Sequence, residues 1–174
     1  MLKHEFVTSE HRDLALVREM YESSFPENEK MKFDTLLAME DASHHMMAWY
    51  DGDELVGMTF VFLYEAVAYL SYFCIVRSGR GKGYGTNVLM QMKAMYPRIV
   101  VDIERVGNSS EEGRVRRKNF YLEHDFHETG VFYYIYHVDY ELLCAGQSIT
   151  AEEWDDLIHA FWGAFADTAR IYQK

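Results

Sequence analysis

At 174 residues the chain has the length of about one domain, enough to bury about two thirds of its unfolded surface. Its 49% hydrophobic and 16% aromatic content excludes a disordered chain, no apolar run reaches about 18 residues, and the opening MLKHEFVTSEHRD has no apolar segment of signal-peptide type. The expectation from these runs is a soluble, cytoplasmic protein with no membrane contact, and a net charge of −11 argues against nucleic acid as a partner.

In chain order, HEFVT (4–8) reads as a short strand, followed by a helix with Leu14, Val17, Met20, Tyr21 and Phe25 at helical spacing and Pro26 closing it. A short helix is expected from Phe33 to Glu40. Two β-rich runs flanking Asp51-Gly52 then signal a hairpin, because that dipeptide tolerates positive φ. VAYLSYFCIV (67–76) is a fourth strand. After a glycine run, Val88, Leu89, Met92, Met95 and Tyr96 mark a helix that Pro97 stops, and RIVVDIERV (98–106) is a fifth strand. Strand, crossover helix and strand within about 40 residues form a βαβ unit, whose strands are parallel. The loop GNSSEEG leads to a basic helix near Arg114 to His124, and VFYYIYHVDYELLCAG supplies one or two closing strands.

The tail opens with a capping box, Thr150 three residues before Glu153. Trp154, Ile158, Phe161, Phe165 and Ala169 follow as one apolar stripe, suited to packing on the domain or to a homodimer face. The chain is therefore expected to be a single domain, residues 147–174 adding an amphipathic helix. Cys74 and Cys144 lie in apolar runs and read as buried free thiols.

Charge is uneven. Residues 77–118 hold ten Lys or Arg against four acids, a net of +6, so the rest of the chain carries −17. Such a distribution suits a compact polyanion at the basic segment and a cationic second ligand elsewhere, or else is ordinary solvated charge.

The basic segment contains RSGRGKGYGTN (77–87), with glycine at every second position from Gly79 to Gly85. Neither a P-loop, G-x-x-x-x-G-K-S/T, nor a dinucleotide fingerprint, G-x-G-x-x-G, fits that spacing. What remains is a strand, a glycine turn with Arg80 and Lys82, and a helix starting near Gly83. Its free N–H groups and dipole would face an anion. A plain flexible loop is the structural alternative.

Arg80-x-x-Gly83-x-Gly85 resembles the acyl-CoA signature Arg/Gln-x-x-Gly-x-Gly/Ala of the GNAT superfamily of N-acetyltransferases. The helix after the fifth strand, RRKNFYLEHDF, has Tyr121 and Phe126 at the separation of that family's FYexxGF segment. Asp125 stands where the family usually has glycine, and Arg114 where many members have asparagine. The resemblance covers about residues 4 to 144. It implies an α/β fold with a mixed, mostly antiparallel sheet of six to seven strands flanked by helices, the fourth and fifth strands splayed apart.

The same resemblance implies an enzyme that binds acetyl-CoA and moves its acetyl group to a primary amine of a small molecule or peptide by direct attack. The pyrophosphate grip falls on Arg80, Gly81, Lys82, Gly83, Tyr84, Gly85 and Thr86, and the pantetheine dock on the main chain of Phe73, Cys74 and Ile75. Tyr121 takes the position of the acid that protonates the leaving thiolate; a phenol with a pKa near about 10 keeps its proton at neutral pH. An amine arrives protonated, so a base is needed, and Glu104 on the fifth strand is the candidate. Asp102, two residues earlier, shares its face. Ion pairing to Arg98 or Arg105 is the structural alternative for these acids. His44, His45, His124 and His127 lack ligand spacing with a third partner, so no metal is expected. The rivals are a non-catalytic acyl-CoA-binding module on this fold and a nucleotide-binding protein using the glycine turn.

Overall fold

The computed structural model describes residues 2–27, 29–39, 43–107 and 111–174. Among them the chain runs β1 (Lys3–Phe6), α1 (Leu14–Ser24), α2 (Phe33–Ala38), β2 (His44–Asp51), β3 (Glu54–Tyr64), β4 (Val67–Ile75), α3 (Tyr84–Met95) and β5 (Ile99–Glu104). It continues with α4 (Glu112–Leu122), β6 (His127–Ile135), β7 (Val138–Ala145), α5 (Ala151–Trp162) and β8 (Arg170–Gln173). The expected end of α2 at Glu40 and the centre of the GNSSEEG loop, 108–110, lie outside the described residues. Contacts divide the chain into two units, Met1–Leu63 with Leu70–Ala94, and Tyr64–Tyr69 with Met95–Lys174. Strand β4 contributes its start to the second unit and its remainder to the first.

In the first unit β1, β2 and β3 form an antiparallel series, and β4 follows β3 in the sheet order. Asp51-Gly52 turns the β2–β3 hairpin as its sequence requires, with Gly52 at φ 62°. The periodic residues of α1 do their expected work: Val17, Met20 and Tyr21 are buried. The Tyr21 hydroxyl donates to the Met31 carbonyl at 2.8 Å, and the Met31 N–H donates to the Tyr72 hydroxyl at 3.0 Å. Tyr21, Tyr72 and Phe25 meet edge-on or tilted, so the chain entering α2 is held against β4 by aromatic packing plus satisfied polar groups. Helix α3 buries Val88, Leu89 and Met92, and its Asn87 and Gln91 side chains bond the main chain of Leu2.

In the second unit the order is β4-β5-β7-β6-β8. The β4–β5 pair is parallel, as the strand–helix–strand pattern demands, and its register covers Ala68↔Ile99 and Tyr69↔Val100. β5 then runs antiparallel to β7, and β7 to β6. The β6–β7 turn is Tyr136-His137, both at positive φ (48° and 65°), without the Asn-Gly signal that would have marked it.

The tail departs from expectation. The capping box forms as read, and α5 buries Trp154, Leu157, Ile158 and Phe161, but the helix stops at Gly163, φ 60°. A 3-10 segment, Gly163–Thr168, follows, and Arg170–Gln173 pairs antiparallel with β6 as an eighth strand. The expected single stripe therefore breaks: Phe165 stands 38% exposed. Its upper part packs inside the second unit, with the Trp154 ring 5.1 Å from Tyr69 and 5.4 Å from Tyr133. Among the described residues no helix is long and apolar enough to cross a membrane.

Candidate active site

The glycine turn forms in the first unit directly ahead of α3. Gly81 and Gly83 sit at φ 75° and 77°, a region that costs an L side chain about 1–2 kcal/mol, and a Cβ at either would meet open space. Gly79 is needed for a different reason: a Cβ there would lie 2.8 Å from the Tyr84 ring and 3.1 Å from Val76. Tyr84 is fixed in turn by its hydroxyl, which donates to Asp51 at 2.7 Å. The first intrahelical bond of α3 runs from the Asn87 N–H to the Gly83 carbonyl at 3.0 Å, so the amides of Tyr84 and Gly85 precede any helical acceptor. Arg77, Arg80 and Lys82 are exposed and have no ion-pair partner among the described residues.

Five of the other seven basic residues of that segment are tied to acidic partners. Arg98 forms a two-pronged pair with Glu153, Arg105 lies 3.7 Å from Asp139 and over the Phe132 ring, and Arg114 and Arg117 reach Glu104. Lys118 bonds Glu141 at 2.8 Å and also meets Glu128. Eight of the ten basic residues of 77–118 thus divide into an exposed group at the turn and a set of structural ties.

At the end of β4, Phe73, Cys74 and Ile75 are half-buried. Gly57 of β3 lets them approach: a Cβ there would stand 2.9 Å from the Cys74 carbonyl oxygen and 2.7 Å from the Ile75 side chain. Both cysteines are free, Cys144 buried and Cys74 only partly so. Burial pushes each thiol up to about 11, which leaves little thiolate at neutral pH.

Tyr121 is the one buried residue of α4, 7% exposed, with its ring 5.2 Å from Phe126. The N–H groups of His124 and Phe126 both donate to its carbonyl, closing the helix, and Asp125 takes φ 63° in the turn that follows. Asp therefore performs the left-handed turn expected of glycine. The Tyr121 hydroxyl makes no hydrogen bond among the described residues, and burial pushes its pKa up, opposed by Arg117 and reinforced by Asp102.

The two carboxylates of β5 share a face and little else. Glu104 is ion-paired to Arg114 at 2.7 Å and to Arg117 at 3.8 Å, neither of them the Arg98 or Arg105 that sequence proximity suggests. Asp102 instead accepts from the Tyr69 hydroxyl at 3.0 Å and the Tyr133 hydroxyl at 2.5 Å. Burial raises the Asp102 pKa, while its two phenol bonds and Arg117 act the other way. Tyr69 and Tyr133 were two among thirteen tyrosines with no local motif, so only the pairing of β4, β5, β7 and β6 brings them to Asp102.

A family model for the acetyltransferase (GNAT) family matches residues 14–128, well over half of the chain. The chain belongs to the GNAT acetyltransferase family. Its fold is that of a protein of Bacteroides thetaiotaomicron assigned to the GNAT acetyltransferases, with 21% identity, a TM-score of 0.77, and 94% of this chain and 98% of that one covered. It is also similar to the ribosomal-protein-S18-alanine N-acetyltransferase of Escherichia coli (12% identity, TM-score 0.64, 87% and 97% covered). A third GNAT structure, from Elizabethkingia anophelis with acetyl-CoA bound, shares 13% identity with a TM-score of 0.60 over 84% and 98% of the chains. No curated protein matches the sequence.

For a GNAT chain the two sequence departures now have physical accounts. Arg114, in place of asparagine, is the cation that holds Glu104, and Asp125 adopts the glycine conformation. Among the described residues no group of three or more His, Cys, Asp or Glu could hold a metal ion. His124 is engaged with the Phe120 carbonyl and His44 with Ser43.

Proposed function

We propose that this GNAT protein transfers the acetyl group of acetyl-CoA to a primary amine of a small molecule or peptide by direct attack. The observation that carries the reading is the family match over residues 14–128, together with the signature turn formed at the start of α3. Exposed Arg80 and Lys82 and the amides of Gly81 to Thr86 suit a pyrophosphate, because glycines at positive φ let main-chain N–H groups approach the anion without a Cβ between. The main chain of Phe73, Cys74 and Ile75 is the proposed dock for pantetheine, and Gly57 is what keeps that strand end in place.

Tyr121 is the proposed acid. A phenol keeps its proton at neutral pH, and a proton delivered to the departing sulfur removes the charge that would otherwise favour return of the thiolate. Neither cysteine is a poised nucleophile, which favours direct attack by the amine over an acetylated enzyme. Among the structural neighbours, one is an aminoglycoside 6′-N-acetyltransferase complexed with coenzyme A and one a spermidine/spermine N-acetyltransferase of Vibrio cholerae. Cationic amines of this kind match the acidic remainder of the chain. Acetyl-CoA-dependent release of free CoA with a panel of spermidine, kanamycin and a peptide with a free N-terminus tests the reading. Release with at least one amine is expected; acetyl-CoA binding with no release for any amine would leave a non-catalytic acyl-CoA module.

A further inference from the structure

The proposed reaction must remove a proton from an ammonium group before nitrogen can attack, and Glu104 is poorly placed to take it. Both its oxygens face guanidinium groups of α4, at 2.7 and 3.8 Å. Those pairs join β5 to the helix that carries Tyr121, a task for which Glu104 must stay charged and bound. Resting on the acetyltransferase reading, we infer that Asp102 is the proton acceptor of the reaction and that Glu104 positions α4 and its Tyr121.

Asp102 has the complementary setting. Its oxygens are held by two neutral phenols, one from β4 and one from β6, so its direction is fixed with no cation bonded to it. An ionised carboxylate offers about four acceptor sites; the two phenols and the Asp102 main-chain N–H take three, which leaves a site for an ammonium or a bridging water. The phenols are themselves rigid. Tyr133 stacks on Tyr140 at 4.9 Å, Tyr69 meets Phe161 edge-on at 5.7 Å, and Trp154 touches both. Among the described residues the titratable and charged groups around Asp102 are Tyr69 from β4, Tyr133 from β6 backed by Tyr140 from β7, and Arg117 and Tyr121 from α4, with Glu104 on its own strand. From α5 the neighbours of the two phenols are neutral, Trp154 and Phe161. Burial moves the Asp102 pKa upward, in the direction that improves a carboxylate as a base at neutral pH.

The protons balance. One leaves the ammonium for Asp102 and passes on to solvent, nitrogen forms its bond to the acetyl carbon as the carbon–sulfur bond breaks, and Tyr121 protonates the sulfur. The second proton lost by nitrogen replaces the one Tyr121 gave.

The test is the pH profile of kcat/KM for wild type, Asp102→Asn, Glu104→Gln and Tyr133→Phe, using the best amine of the panel above, with acetyl-CoA affinity measured in parallel as the check on folding. Asp102→Asn is expected to lose about 10²- to 10⁴-fold and to lose the ascending acid limb, with part of the rate returning at high pH where the amine arrives neutral. Glu104→Gln is expected to keep that limb and to lower kcat through Tyr121. Tyr133→Phe keeps the carboxylate but removes a bond that favours its charged form, so the limb moves to higher pH, a shift that a purely structural tyrosine would not produce. Should Asp102→Asn fail to bind acetyl-CoA, the Tyr133→Phe limb decides alone, and an unmoved limb overturns the inference. Wild-type turnover with Asp102→Asn unaffected, or with the limb lost in Glu104→Gln instead, also overturns it while leaving the acetyltransferase reading intact. Absence of turnover in wild type with every amine overturns that reading and the inference with it.

Discussion

The turn from Arg80 to Thr86 offers its main chain, whereas the cluster around Asp102 is made of side chains from four elements. In the turn, glycine is required at Gly81 and Gly83 by backbone conformation and at Gly79 by the Tyr84 ring, all of them constraints within a few residues. In the cluster, a carboxylate of β5, phenols of β4 and β6, and a guanidinium and phenol of α4 interact across 33, 31, 15 and 19 positions of sequence, respectively. Local conformational demands leave a spacing pattern; long-range side-chain chemistry leaves none.

That contrast can be broken by substitutions that remove one contribution and leave the fold. Among substitutions that leave Asp102 in place, the largest effect is expected at Tyr121→Phe, which deletes the proposed acid: kcat should fall about 10²-fold with acetyl-CoA affinity unchanged, and a rate within threefold of wild type would remove Tyr121 from the chemistry. Next, Gly57→Val drives a Cβ against the Cys74 carbonyl, which is backbone and cannot swing away. A loss of about 1–3 kcal/mol is expected, seen as a lower Tm together with weaker acetyl-CoA binding. Gly83→Ala tests the turn alone. It introduces about 1–2 kcal/mol of left-handed strain with no steric clash, so acetyl-CoA binding should weaken about 5- to 30-fold while the pH profile stays put.

Smaller effects belong to the α5 cap. Thr150→Ala should cost about 1 kcal/mol, or about 2–4 °C in Tm, without touching kcat. Its partner Glu153 is pushed down to about 2, first by its hydrogen bonds from Arg98 and then by the Thr150 amide. Because the folded value lies below the ordinary carboxylate value, this contribution is present above that value and disappears as pH falls through the folded one. The Glu153 side chain is 39% exposed, so the part of the difference between wild type and Arg98→Ala that comes from this ion pair should be under about 1 kcal/mol at neutral pH. It should shrink between about pH 4.5 and 2 in acid denaturation.

The sequence was most readable where order is local. Helical periodicity marked α1 and α3, Asp51-Gly52 marked the β2–β3 turn, and Thr150 and Glu153 marked the start of α5. It was least readable in the tail, where one apolar stripe ran on through Phe165 and Ala169. Gly163 ends the helix there, and β8 exists because β6 offers it a pairing edge, a non-local fact. The Tyr136-His137 turn was hidden for a related reason: its strand register holds two ordinary residues at positive φ.

By itself, then, the amino-acid sequence determined the family, the glycine turn and the position of Tyr121, because each is written in spacing along one element and its immediate neighbours. Tertiary structure alone decided that, among the described residues, Arg77, Arg80 and Lys82 stay without an ion pair while Arg114, Lys118 and Arg98 pair with Glu104, Glu141 and Glu153. It also gave Asp102 and Glu104, two residues apart on one face of β5, opposite surroundings. The physical reason is that a carboxylate's chemistry is set by what donates to it, and here those donors arrive from distant strands and from α4.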